Sequence, residues 1–400
     1  MTMRYASITD RLANLGSDKW EIHLRGRELA AHDASVIELT IGEPDVPPDD
    51  ALLDICAEAM RAGRTRYSNG RGEDSVVSAL ARKYSRRTGR EIREENVLCF
   101  PGTQTALFAV MMGLLEAGDE VLVPDPYYAT YEAVIRAPGA GILPVPLRAE
   151  KGFHLQPEDL EAAITPGSRV LLLNSPHNPS GAVLSRDEIA AIGEICRKHD
   201  LWIVSDEVYE ELTFDADFAS PFDLPELADR VIAVSSISKS HAAPGFRSGW
   251  AVGPAEFCQR LLPLSESMLF GGQPFIADMT AYALTHDLPT AGGMRRQYKA
   301  RAAMIAERLD NVSGLRVVPP EAGMFVLLDV SGTGLTGHDF ALRLLEERRV
   351  SVMPGSSFGN AGGKLVRLSL TVPDEKLAEA CGRIASFAGD LVQRAECLAT

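Results

Sequence analysis

The feature that most constrains this chain is a rhythm in which short apolar runs alternate with longer amphipathic stretches. Candidate strands lie at 97–100 (VLCF), 121–124 (VLVP), 170–174 (VLLLN), 201–205 (LWIVS), 231–235 (VIAVS) and 249–252 (GWAV). Between them, stretches such as Thr105–Glu116 and Arg186–His199 have helical periodicity, the latter with Ile189, Ile192 and Ile195 on one side. Strands alternating with helices predict an α/β fold with a mostly parallel sheet. The run Arg295–Leu309 is long, charged and helical. Beyond about residue 315 the pattern changes to short strands (LRVV, MFVLLDV, VSVM, VRLSL) interleaved with two helices, which predicts a smaller α+β domain. The expected division is an arm and part of the small domain over 1–45, a large domain over 46–290, and the small domain over 291–400.

In open α/β sheets, ligands sit in the crevice at the carboxyl ends of the strands. The chemically suggestive segments of this chain fall just after predicted strands: Gly102-Thr-Gln, Asp125-Pro-Tyr-Tyr, Asn174-Ser-Pro-His-Asn, Asp206-Glu-Val-Tyr and Ser236-Ile-Ser-Lys. They imply one composite site. Composition narrows its ligands. A formal net charge of −15 argues against nucleic acid, which requires clustered Lys and Arg. No apolar run is long enough to span a bilayer, and the first residues contain no apolar signal segment. The six cysteines are scattered without a CxxC pair, so neither a metal site nor a disulfide framework is expected, and a cytoplasmic setting is.

Lys239 stands in Ser235-Ser-Ile-Ser-Lys-Ser-His-Ala-Ala-Pro-Gly-Phe-Arg-Ser-Gly-Trp250. A lysine among small hydroxyl residues reads equally as a solvated loop. However, lysine forms imines with aldehydes when desolvation lowers its pKa, and the apolar strand before it supplies burial. Ser236, Ser238 and Arg247 would supply hydroxyls and a positive fork for a phosphate dianion. Asp206 at a strand end reads as a helix N-cap or as a buried carboxylate facing a cationic ring. The turn around Asn178, with two X-Pro steps and Gly181, reads as a rigid loop or as a polar contact. Gly102 leads from strand to helix, where backbone N–H groups can bind phosphate.

Together these motifs resemble the fold-type I aminotransferases that use pyridoxal 5′-phosphate (PLP), from about residue 35 to 370. The S-x-S-K and G-x-R-x-G pair, the D-x-x-Y after a strand and the N-P-S-G turn carry the resemblance. It implies a large domain with a mostly parallel seven-stranded sheet and a smaller α+β domain. It makes Lys239 the Schiff-base lysine, with Asp206 at the pyridine nitrogen and Tyr209 and Asn178 at the phenolic oxygen. Gly102, Thr103, Gln104, Ser236, Ser238 and Arg247 would surround the phosphate. Tyr128, with Tyr127 as fallback, would stack on the ring. Arg367 and the backbone of Gly42, beside Asn178, would bind the substrate carboxylate. Tyr67 would reach the phosphate of a neighbouring subunit, making a homodimer with shared active sites. Glu207 is expected only to support its loop.

The implied reaction is a ping-pong transamination between an L-amino acid and a 2-oxo acid, with Lys239 as general base and acid. The stretches Leu173–Ala182 and Ala191–Ser240, with Lys19-Trp-Glu-Ile-His23, look especially similar to bacterial arginine–pyruvate transaminases. This implies arginine as donor and pyruvate as acceptor, with Asp18 or Glu21 as candidate partners of a guanidinium. Aspartate or aromatic donors stay open, as does a PLP-dependent C–S β-lyase, which would share every cofactor residue. A PLP-sensing transcription regulator would need a DNA-binding domain for which residues 1–35 leave no room.

Overall fold

The structure is a computed structural model that describes residues 3–13, 15 and 18–399. Its first strand, β1 (Ile37–Leu39), is followed by seven that form one sheet. These are β2 (Val97–Phe100), β3 (Glu120–Asp125), β4 (Gly141–Pro146), β5 (Ser168–Asn174), β6 (Trp202–Asp206), β7 (Val231–Ser236) and β8 (Gly249–Val252). Their spatial order is β2-β8-β7-β6-β5-β3-β4, with β8 alone antiparallel to its neighbours. Four later strands join β1: β9 (Arg316–Val318), β10 (Phe325–Asp329), β11 (Val350–Pro354) and β12 (Leu365–Ser369). This second sheet has the order β1-β11-β12-β10-β9.

The large sheet is covered on both faces, which explains why its central strands read as unbroken apolar runs. In β5, Leu171 and Leu173 enter one core, whereas Val170 and Leu172 enter the other. The helix Arg186–Lys198 covers one face with Ile189, Ile192 and Cys196. Its start is set by a reciprocal cap: Ser185 N–H donates to Glu188 at 2.8 Å, and Glu188 N–H donates to the Ser185 hydroxyl at 3.3 Å. The second sheet has its own core, in which Ile22 and Val36 from the N-terminal segment pack with Phe340 and Phe387.

Two elements differ from expectation at their ends. The helix after β2 starts at Thr103 rather than Thr105 and ends at Leu114, because Gly102 at φ +85° turns the chain directly into it. The long helix ending at Leu309 begins at Pro289 rather than Arg295, with the proline at a position where its missing N–H costs nothing. Two strands, β1 and β4, were not anticipated.

The register of the large sheet gathers the strand ends on one rim. Asn174 pairs with Asp206, Asp206 with Val234, and both Ser236 and Phe100 with Gly249. Asp125, Asn174, Asp206 and Ser236 are the last residues of their strands, not the first of the following loops.

Candidate active site

A cavity of about 520 Å³ opens at this rim. Its walls include Gly42, Thr103, Gln104, Tyr128, Asn178, Asp206, Tyr209, Ser236, Ser238, Lys239, Arg247 and Arg367. Residues spread over more than three hundred positions of sequence thus meet around one space, because parallel strands deliver their carboxyl ends to the same side.

Lys239 sits in the short helix Ile237–Ser240 after β7, and its ammonium donates to the Gly42 carbonyl at 2.6 Å. It forms no ion pair among the described residues. Burial, reinforced by the positive charges of Arg367 and Arg247, pushes its pKa down to about 8, with nearby Glu43 opposing. A lysine in that state is a usable nucleophile and base near neutral pH.

Asp206 is buried at the cavity floor. One carboxylate oxygen accepts the Tyr131 hydroxyl at 2.7 Å, and the other accepts the Val208 N–H at 3.2 Å. Burial raises its pKa to about 6 against the pull of these donors. Asn174 braces the strand end: its amide donates to the Asp206 and Pro176 carbonyls, both at 3.0 Å, and its oxygen accepts Asn178 N–H at 2.8 Å. Tyr209 is buried beside them, and burial pushes its phenol up.

Arg367, on β12, is a buried cation without a carboxylate partner among the described residues. Its guanidinium donates to Asn178 Oδ1 at 2.9 Å and to the Thr40 carbonyl at 2.6 Å. It lies 3.7 Å from the centroid of the Phe325 ring and 4.4 Å from that of Phe358, a close cation–π pairing. Burial lowers its pKa to about 10. Its Nε finds no acceptor. An unpaired donor on a buried cation is costly unless a ligand anion completes it.

Arg247, also in the wall, adopts the left-handed conformation (φ +52°) and donates to the carbonyls of Pro244 at 2.8 Å and Pro101 at 3.1 Å. A Cβ at Gly102 would fall on this guanidinium, so Gly102 shapes the corner from behind the cavity wall. Gly249 is also obligatory, since a Cβ there would lie 2.6 Å from the Gly102 carbonyl carbon. Thr103 Oγ1 is buried without a partner. Two orphaned donors, on Thr103 and Arg367, in a cavity whose wall carries three cations, fit a ligand that bears a phosphate and meets a substrate carboxylate. The residues present therefore fit pyridoxal phosphate.

Several expected residues lie elsewhere. Tyr67 is 88% exposed, outside the cavity of its own chain, with its ring edge-on to exposed Phe270 at 5.3 Å. Tyr127 is not in the wall, and the Lys19 ammonium sits 5.9 Å from its ring. Glu207 points away, into a buried cluster with Arg87 at 2.9 Å and Ser220, where burial lifts its pKa to about 7. Glu21 faces His338 at 3.3 Å, outside the cavity, and the Asp18 side chain lies outside the described residues. Asn174, Tyr131, Trp20, Glu43 and Phe325 line the cavity without having been assigned a role from sequence. Asn174 carried a usable signal, since it opens one of the rim segments.

Among the described residues no helix is long and apolar enough to cross a membrane, and no cluster of His, Cys, Asp or Glu could hold a metal ion.

The profile of the family "Aminotransferase class I and II" matches residues 34–384. The chain is 43% identical over 393 residues to the arginine–pyruvate transaminase AruH of Pseudomonas aeruginosa, covering 98% of this chain and all of that protein. It is 34% identical to the aspartate/prephenate aminotransferase of Cereibacter sphaeroides, covering 96% of this chain and all of that protein. The aspartate aminotransferase structure from Rhizobium meliloti superposes with a TM-score of 0.92 at 28% identity, covering 97% of this chain and 99% of that one. These likenesses run through both sheets and the cavity between them, and the chain belongs to the class I and II aminotransferases, enzymes that depend on pyridoxal phosphate.

Proposed function

We propose that this transaminase takes L-arginine, or a donor with a similarly long basic side chain, and passes its amino group to pyruvate. The observation that carries the reading of the site is the meeting of Lys239, Asp206 and Arg367 in one cavity: an amine with its pKa near 8, a buried carboxylate, and a buried cation with an orphaned donor. The donor's identity draws support from the 43% identity to an arginine–pyruvate transaminase. Of the two carboxylates in the wall, Asp206 is held by Tyr131 and Val208. Glu43 has no hydrogen bond or ion pair among the described residues, which leaves it for a guanidinium.

Bound pyridoxal phosphate supplies an aldehyde that condenses with amines and a ring that accepts the electron pair left at a substrate α-carbon. In this reading the chain's own residues do the rest. Arg247, Thr103, Gln104, Ser236, Ser238 and the helix start after Gly102 hold the phosphate. Tyr128 covers the ring face. Tyr209 and Asn178 donate to the phenolic oxygen, and Asp206 keeps the ring nitrogen protonated. Arg367, with the Gly42 backbone, fixes the α-carboxylate, so that the Lys239 amine can take the α-proton and return it elsewhere. We assign residues 46–290 to a large domain, and 1–45 with 291–400 to the arm and small domain. We further assign the enzyme to the cytoplasm, as a homodimer in which Tyr67 serves the neighbouring site.

A panel of donors (arginine, lysine, aspartate, phenylalanine, leucine) against pyruvate and 2-oxoglutarate tests the specificity. The expected result is the highest kcat/KM for arginine with pyruvate, with Glu43→Gln raising KM for arginine and not for leucine. Preference for aspartate in the wild-type enzyme would overturn it.

A further inference from the structure

Tyr131 opens the short helix Tyr131–Arg136 that follows β3, and its side chain is 2% exposed. β3 and β6 are not neighbours; β5 lies between them. The phenol therefore reaches across the end of β5 to donate to Asp206 at 2.7 Å. Among the described residues it is the only side chain that hydrogen-bonds this carboxylate. The same ring meets Tyr128 edge-on, with centroids 5.6 Å apart and planes at 87°. One residue thus touches both the aromatic ring in the cavity wall and the carboxylate at the floor.

The chemistry of the pair is directional. Burial and the neighbouring Asp206 charge push the Tyr131 phenol well above its ordinary value, so it stays a proton donor. A donor aimed at a buried carboxylate favours the ionised form and fixes which lone pairs remain free. The second oxygen is occupied by the Val208 N–H, so the carboxylate plane is set from both sides.

We propose that Tyr131 is a positioning residue that acts on the cofactor through two others, holding Asp206 ionised and aimed at the pyridine nitrogen while bracing the Tyr128 ring over the cofactor face. This rests on the roles given above to Asp206 and Tyr128. Without the phenol, the proton shared by the ring nitrogen and Asp206 shifts toward the carboxylate, and the ring becomes a weaker electron acceptor.

The test compares Tyr131→Phe, which keeps the ring contact and removes the hydroxyl, with Tyr131→Leu, which removes both. Each apo-enzyme is reconstituted with pyridoxal phosphate and with its 1-deaza analogue, in which C–H replaces the ring nitrogen. The expected result is that Tyr131→Phe binds pyridoxal phosphate about tenfold more weakly, the loss typical of a hydrogen bond to a charged group. The deaza analogue should bind it as tightly as it binds the wild type, and Tyr131→Leu should lose affinity for both. In the holoenzyme, the solid-state ¹⁵N resonance of the ring nitrogen should move toward the unprotonated range in Tyr131→Phe. It should move the other way when Tyr131 is replaced by 3-fluorotyrosine, a stronger donor that keeps the fold. Equal losses on both cofactors, or an unmoved ring-nitrogen resonance, would overturn the proposal. If Asp206→Asn also leaves that resonance unmoved, the fault lies in the role given to Asp206.

Discussion

Lys239 and Arg367 are both cations stripped of water, and their different chemistry follows from what each lacks. Lys239 is buried and forms no ion pair among the described residues, so its amine is released as pH rises through about 8 rather than through the ordinary lysine range. The rate at which apo-enzyme captures pyridoxal phosphate should accordingly climb with pH through about 8 and level off about one unit above it. Stopped-flow absorbance measures this, and a rate still rising beyond pH 10 would contradict the lowered pKa. Arg367 lacks an acceptor for Nε. Arg367→Lys keeps the charge but loses the planar fork, and kcat/KM should fall about a hundredfold for donor and acceptor alike, since both carry an α-carboxylate. Steady-state kinetics with each substrate varied decides this, and a loss confined to one of them would refute the shared clamp. Lys239 was legible in the sequence through its own motif, and Arg367 only through the resemblance. Tyr131 was not: a tyrosine at the start of a short helix looks the same whether its hydroxyl meets water, a backbone carbonyl or a buried carboxylate two strands away.

At the level of elements, the site depends on turns that only glycine permits. Gly102 combines a left-handed backbone with contact to the Arg247 guanidinium, and Gly249 lies against its backbone. Gly102→Ala should displace Arg247 and weaken cofactor binding about tenfold or more, with the fold intact by circular dichroism, because the strained φ and the lost phosphate contact add. Unchanged affinity for pyridoxal phosphate would remove Arg247 from the phosphate site. The buried parallel strands announced themselves through unbroken apolar runs, as in Val170–Leu173. By contrast, β4 carries Pro144 and Pro146 and buries only Val145, since it lies at the sheet edge where prolines are tolerated. The three residues of β1 are too few for a periodicity, and they become a strand only by pairing with β11, more than three hundred positions away. Helix ends moved for local reasons, a glycine turn at 102 and an N-terminal proline at 289.

At the scale of the whole molecule, two sheets meet at a cavity that draws residues from both, and Leu327 of β10 packs in the same core as Leu171 of β5. Asp125, at the end of β3, accepts the backbone N–H groups of Asn360 at 3.0 Å and Ala361 at 3.2 Å, tying the strand end of one sheet to a loop of the other. The proposed homodimer adds a third contributor. Tyr67 and Phe270 form an exposed aromatic pair away from the cavity of their own chain. If Tyr67 reaches the neighbouring phosphate, Tyr67→Phe should weaken cofactor binding severalfold while sedimentation still reports a dimer. A wild-type protein that sediments as an active monomer would rule the shared site out.

The proposed transfer of the amino group from arginine to pyruvate is best followed through the nitrogen itself. Holoenzyme is incubated with L-arginine labelled with ¹⁵N at the α-amino group and with unlabelled pyruvate, and the products are separated by mass spectrometry. The expected product is ¹⁵N-alanine, formed in equal amount to the 2-oxo acid of arginine, and none with Lys239→Ala. Label released as ammonia, or alanine that stays unlabelled, would contradict it.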